Sequence, residues 1–298
     1  MASFVPTSRS SPYPAVSPTR PELSVIGKSV LVTGGGYGIG SSIAHAFAAA
    51  GAARIAISGR TESKLKSTAE ELNAAYPGTT TSYYIADITD AAAVASMFES
   101  FGAADILINN AGLLSDVVPL KTVDLKSWWR GFEVNILGTA TVTQNFLRTK
   151  KAGQDAVVIC LNTVAAHWGG IPGFTSYAAS KAAELRLVEG LQVENPDVRF
   201  VSVHPGFVET DMGGKAREGG VAGVVVCEPE LAAQFILWLA SLEADFLRGK
   251  LKNRRLRSPR MWKMIFYIAL SQGSGVGAIS IFQIAGWLLI RSDIRIIR

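Results

Sequence analysis

A strand-like run at Ser29–Thr33 leads straight into Gly34-Gly35-Gly36-Tyr37-Gly38-Ile39-Gly40, and an apolar helical pattern starts inside that glycine cluster. Glycines permit a tight turn and close approach of the backbone to a ligand. A helix that starts there aims unpaired N–H groups and its positive dipole end at whatever the turn holds, which suits a pyrophosphate. The cluster fits neither G-x-G-x-x-G in any register nor a P-loop. It fits Thr-Gly-x-x-x-Gly-x-Gly, with Gly34, Gly38 and Gly40 as the fixed glycines and Ile39 between the last two. Ile39, Ile43 and Phe47 then recur every fourth residue and mark one buried helix face.

Downstream, short apolar runs alternate with helical patterns. The runs predict strands at 29–33, 54–58, 82–86, 105–109, 156–162 and 198–204. Helices are expected at 38–50, 62–75, 91–101, 125–150, 176–193 and 229–241. Such alternation implies an α/β fold: one doubly wound domain, here 25–250, whose parallel sheet is covered on both faces. Residues 1–24 hold five of the twelve prolines and many serines, and read as a disordered arm.

Composition narrows the class. The net charge of +5 is uneven: from Arg248 onward eleven Lys/Arg and one acid, Asp293, give +10, which leaves −5 for the rest. A nucleic-acid partner is not expected, because a basic footprint belongs on the fold itself. Two cysteines make no disulfide scaffold, and Cys160 sits in an apolar run as a buried thiol. His45, His167 and His204 lack metal-ligand spacing, so no metal is expected.

Tyr177 and Lys181 lie four apart in an alanine-rich helical stretch, so both side chains share one face. An ammonium beside a phenol favours the phenolate and lowers its pKa, and such a phenol is a usable general acid or base. Taken with Asn109-Asn110-Ala111-Gly112 after the fourth strand, Asn135 in the next helix, and Pro205-Gly206 with Thr210 after the sixth strand, the chain resembles the short-chain dehydrogenase/reductase family over roughly residues 26–247, and its fungal branch in particular.

The resemblance implies a Rossmann domain and hydride exchange between a nicotinamide dinucleotide and a carbonyl or secondary alcohol on a small molecule, in the fungal branch often within secondary metabolism. It implies that Tyr177 moves the proton, that Lys181 tunes it and bonds the nicotinamide ribose, and that Asn135 holds a relay water. It places Gly34, Gly38, Ile39, Gly40, Asp87, Asn109, Pro205, Val208 and Thr210 with Tyr177 and Lys181 around the cofactor. The second strand ends Ser58-Gly59-Arg60-Thr61 without an acid to bond a ribose, so Arg60 is expected to hold a 2′-phosphate and NADP is favoured over NAD. Tyr37, where many NADP-preferring relatives carry a basic residue, argues the other way. A serine is usual about thirteen residues before the tyrosine, but that position is Val164; a one-residue shift puts Thr163 there, with Asn162 as the alternative donor. Trp168, Phe174, Phe207 and Leu113 are candidate lining for an apolar substrate pocket, and the glycine-rich 207–226 segment is a candidate lid. A homo-oligomer paired through the helices of Asn135 and Tyr177 is implied, as is a cytoplasmic location. A non-catalytic NADP-binding protein of the same fold is the alternative.

The end of the chain departs from the family. A basic stretch, 251–260, stands where an edge strand is expected, so a seventh strand is doubtful. It is followed by 27 uncharged residues, 264–290, long enough for a membrane span. Three readings of 251–298 remain open: a membrane anchor, a packed or amphipathic extension, or a coding sequence that diverges after Lys250.

Overall fold

The computed structural model of the chain describes residues 9–167, 171–247 and 266–267. Six strands form a parallel sheet: β1 (Ser29–Thr33), β2 (Arg54–Gly59), β3 (Thr80–Ile85), β4 (Ile106–Asn109), β5 (Ala156–Leu161) and β6 (Val198–His204). Their order is β3-β2-β1-β4-β5-β6. Every residue of β1 and β5 is buried, as expected of strands covered on both faces. The side-chain period of two divides each strand between two cores. Val30, Val32, Ile55 and Ile57 pack against α1 (Gly38–Ala49), α2 (Glu62–Ala75) and α8 (Pro229–Ala240) through Ile43, Phe47, Leu65 and Ile236. Leu31, Ala56, Leu107 and Val158 face α3 (Ala91–Phe101), α5 (Thr139–Thr149) and α6 (Thr175–Glu194) through Phe98, Phe146 and Val188. Each such buried side chain stabilises the fold by roughly 1.5–3 kcal/mol.

Local signals set the element ends. Asp90 caps α3 by accepting from the N–H groups of Ala92 and Ala93, and Gly102 ends it with a positive φ of 79°. Chain order reverses at β1, with β2 on one side and β4 on the other, which opens a crevice at the carboxyl ends of these strands.

Two expectations need correction. The helix expected at 125–150 is continuous but not uniform: α4 (Leu125–Phe132) and α5 are joined by a π-helical stretch, Glu133–Gly138, that contains Asn135. Residues 9–24 of the arm read as disordered are folded against the domain in two 3₁₀ turns, Pro14–Val16 and Pro21–Leu23. Val16 and Leu23 are buried in the α1/α8 core, and Arg20 pairs with Glu243 at 2.7 Å. The prolines preset φ for these turns, and an average over composition hides the two apolar anchors. Beyond the six strands the sheet gains only a two-residue ladder, β9 (Phe266–Tyr267), parallel to Val203–His204; β7 (Phe207–Val208) and β8 (Val226–Cys227) form a separate small pair. The rest of 251–298, and with it all three readings of the tail, lies outside the described residues. Among the described residues no helix is long and apolar enough to cross a membrane.

Candidate active site

The crevice at the ends of β1 and β4 holds about 240 Å³. Its floor is the glycine turn. Gly34 and Gly38 have φ of 66° and 56°, left-handed conformations that other residues adopt only with strain. A Cβ on Gly40 would collide with the carbonyl of Gly34 and lie 2.6 Å from Nδ2 of Asn110. The backbone is therefore packed so closely that only glycine fits. Tyr37 precedes α1 in an extended conformation and no side chain caps the helix, so its first-turn N–H groups carry no side-chain acceptor. Asn110 braces the turn from β4, donating from Nδ2 to the carbonyls of Thr33 at 2.9 Å and Gly34 at 3.1 Å.

At one end of the crevice stand Arg60, Thr61 and Lys64, at the start of α2. The Lys64 ammonium lies 4.0 Å over the Tyr37 ring. Asp87 closes this end from beyond β3. Burial raises its carboxyl, but bonds from the N–H and hydroxyl of Thr89, with the Arg130 and Arg60 charges, outweigh burial and hold it below the usual carboxylate range.

At the other end α6 brings Tyr177 and Lys181 to the cleft wall. The Tyr177 hydroxyl lies beside the Thr163 hydroxyl and 3.9 Å from the Met212 sulfur of α7 (Asp211–Glu218). Burial pushes the phenol above its ordinary value, Lys181 and Thr163 pull it down, and Glu184 pushes it up again. The net direction is upward because burial outweighs Lys181, which acts in the expected, lowering sense. Lys181 donates from Nζ to the Leu161 carbonyl at 2.8 Å and to Glu184 Oε2 at 2.7 Å. Asn162 is committed to protein partners: Nδ2 donates to the Lys181 carbonyl at 3.0 Å and Oδ1 accepts from the Thr163 N–H at 2.7 Å. Thr163 keeps its hydroxyl at the phenol while also capping the 3₁₀ turn Val164–Ala166.

Residues 28–220 match the family described as short chain dehydrogenase. A short chain dehydrogenase/reductase of Claviceps purpurea is 36% identical over 248 residues, 82% of this chain and 83% of its own length. The short chain dehydrogenase citE of Monascus ruber is 34% identical over 247 residues, 80% of this chain and 83% of its own. A solved dehydrogenase/reductase from Sinorhizobium meliloti matches with a TM-score of 0.67 at 28% identity, over 76% of this chain and 92% of that one. The chain belongs to the short chain dehydrogenase/reductase family. It is thus an oxidoreductase of a family that uses NAD or NADP and acts on small molecules.

The residues present fit such a cofactor: a cradle that admits no Cβ at Gly40 and an uncapped helix start face the crevice, with Thr210, close to Gly38, and Pro205 also lining it. Gly34, Gly38, Ile39, Gly40, Arg60, Asp87, Tyr177, Lys181, Pro205 and Thr210 all line it. Asn109, Asn135 and Val208 are buried and are not among the residues that do. Asn109 instead donates to Thr143 Oγ1 at 2.9 Å, so the short chain dehydrogenase Asn-Asn-Ala-Gly run meets the cleft through Asn110, Ala111 and Gly112. The Asn135 side chain is saturated: Oδ1 accepts from the Leu113 N–H at 2.8 Å, and Nδ2 donates to the Leu113 carbonyl at 3.0 Å and to Ser180 Oγ at 2.9 Å. It clamps the loop after Gly112 to α6. Of the expected apolar lining, Leu113 is at the cleft, Phe174 is buried edge-on to the Tyr177 ring, Phe207 lies under the Arg217 guanidinium, and Trp168 is outside the described residues. Lys64, Met212 and Glu184 were not singled out from sequence. Lys64 follows Arg60 by one helical turn, which is the signal that could have found it.

Cys160 is fully buried and its thiol is pushed up to about 12, so it is inert at neutral pH. Burial brings His204 down to about 4, which keeps it neutral. Among the described residues no group of three or more His, Cys, Asp or Glu is placed to hold a metal.

Proposed function

We propose that the protein is an NADP-dependent carbonyl reductase or alcohol dehydrogenase for an apolar small molecule, with Tyr177 exchanging the proton on the substrate oxygen. The observation that carries this reading is the placement of Tyr177 and Lys181 at one end of a glycine-floored crevice, with the buried Thr163 hydroxyl beside the phenol. The nicotinamide supplies the hydride when bound. The protein supplies position and charge: Thr163 donates to the substrate oxygen beside Tyr177, Lys181 sets the potential at the phenol, and Asn135 holds the adjoining loop. Leu113, Leu161 and Met212 give the reacting end an apolar wall. Arg60 and Lys64, with no acid at the end of β2, favour a 2′-phosphate over a free ribose hydroxyl. Exposed Leu137 and Val193, on the π-helical stretch with Asn135 and on α6, fit a homo-oligomer paired through these helices.

Ketone-dependent oxidation of NADPH and of NADH, followed across a panel of apolar ketones, tests the reading. NADPH should be preferred, and Tyr177→Phe should lose about 10²-fold or more of the rate. Arg60→Ala with Lys64→Ala should weaken NADPH roughly tenfold or more and leave NADH little changed. A wild-type protein that binds NADPH and reduces nothing in the panel would point to the non-catalytic alternative.

A further inference from the structure

Glu184 lies three residues beyond Lys181 on α6, with its side chain 1% exposed. Its Oε2 accepts from the Lys181 ammonium at 2.7 Å and from Asn162 Nδ2 at 3.5 Å, and its Oε1 accepts from the Thr139 hydroxyl of α5 at 3.4 Å. A carboxylate so buried is held only by partners such as these. We propose that Glu184 is a positioning residue: it offsets the Lys181 charge at the phenol, keeps Tyr177 protonated at neutral pH, and so fits the site to give a proton to a carbonyl rather than to take one from an alcohol. The inference rests on the reading of Tyr177 as the proton donor.

The potentials of neighbouring charges add at the phenol. A lone ammonium near a phenol lowers its pKa by one to three units or so. An anion in contact with that ammonium acts on the same phenol with opposite sign, and in a site of low dielectric both effects are strong. The groups around Glu184 leave this balance to the pair itself. Lys181 and Tyr177 come from its own helix, Thr139 from α5, and Asn162 and Cys160 from β5 and its end. The Cys160 thiol is neutral, as is His204 on the adjacent β6. Burial holds the Glu184 carboxyl above its ordinary value, the contact ammonium and the hydroxyl of Thr139 offsetting that rise only in part, so its negative charge at the site depends on the 2.7 Å contact with Lys181. Lys181 stays above its ordinary value despite burial because Glu184 and Tyr177 favour its charge.

In reduction the carbonyl carbon gains hydride from the reduced nicotinamide, the oxygen takes the Tyr177 proton, and the phenolate regains a proton from solvent. The alcohol forms and the nicotinamide is oxidised. Catalysis cannot move that equilibrium; Glu184 sets the pH range in which each direction runs fast.

The test is a pH profile of kcat/KM for ketone reduction, together with ultraviolet titration of the Tyr177 phenolate as a difference against Tyr177→Phe. In the wild-type protein the phenol should titrate at or above the value of about 10 for free tyrosine; a midpoint a unit or more below it overturns the proposal without any change at Glu184. Glu184→Gln, which keeps shape and removes charge, should lower the phenol midpoint and the alkaline limb of reduction by about one pH unit or more. Glu184→Asp should stay with the wild type. If the Gln variant binds NADPH and keeps the wild-type profile, Glu184 is merely structural. Full activity in Tyr177→Phe would instead remove the proton-donor reading itself, so the two failures are distinct.

Discussion

Thr163 illustrates how a single side chain can serve two masters. Its hydroxyl accepts from the Ala165 N–H at 3.2 Å, which closes the 3₁₀ turn after β5, and the same group sits beside the Tyr177 phenol. The added methyl restricts χ1 and holds the hydroxyl in one direction. Thr163→Ser should therefore keep turnover within a few-fold. Thr163→Val, which keeps the shape and removes the donor, should lower kcat by about 10²-fold, the scale of losing one oriented donor at a developing oxyanion. Steady-state kinetics of the two variants decide it; wild-type rates in the valine variant would move the donor role elsewhere. Asn162 is the weaker candidate because its amide is already consumed by the Lys181 carbonyl and the Thr163 N–H.

At the level of elements, the π-helical stretch between α4 and α5 positions the Asn135 amide against Leu113 and Ser180. An extra residue in a turn re-aims the side chains that follow, and such turns recur at functional sites. Asn135→Ala would leave the half-buried Leu113 N–H and carbonyl without this partner, at up to about 1–3 kcal/mol for each group that water does not reach. The expected outcome is a lower melting temperature and a smaller thermal shift on adding NADP. The strands and most helices were legible within a residue or two because their apolar periodicity is strong. The π stretch was not, since Glu133–Gly138 carries the same periodic signal as regular helix. Glu184 was hidden for a related reason: one acid in a helix reads as a solvated side chain, and only packing of α6 on β5 and α5 reveals that it is enclosed. The glycine turn and Tyr177–Lys181 could be read directly, since their chemistry depends on local spacing.

Across the whole molecule, the family match spans 28–220, yet the packed body starts well before it. Val16 and Leu23 seal the outer side of the α1/α8 core, and the Ser10 carbonyl accepts from the Glu228 N–H at 2.9 Å. Removing residues 1–24 should lower the unfolding free energy by about 3–6 kcal/mol, from roughly 1.5–3 for each of the two buried side chains. The exposed Arg20–Glu243 pair adds little. Denaturant unfolding of the shortened and full-length proteins measures the difference, and coincident midpoints would show that these anchors are dispensable. The opposite flank of the sheet carries its own consequence. Its last ladder is only two residues long, Val203–His204 beside Phe266–Tyr267. Any recombinant version ended before that point strips the margin of its neighbour, and a bare margin is a template on which another molecule can add a strand. Residues 266–267 thus shield only the carboxyl end of β6, Val203–His204, from a strand of a second molecule.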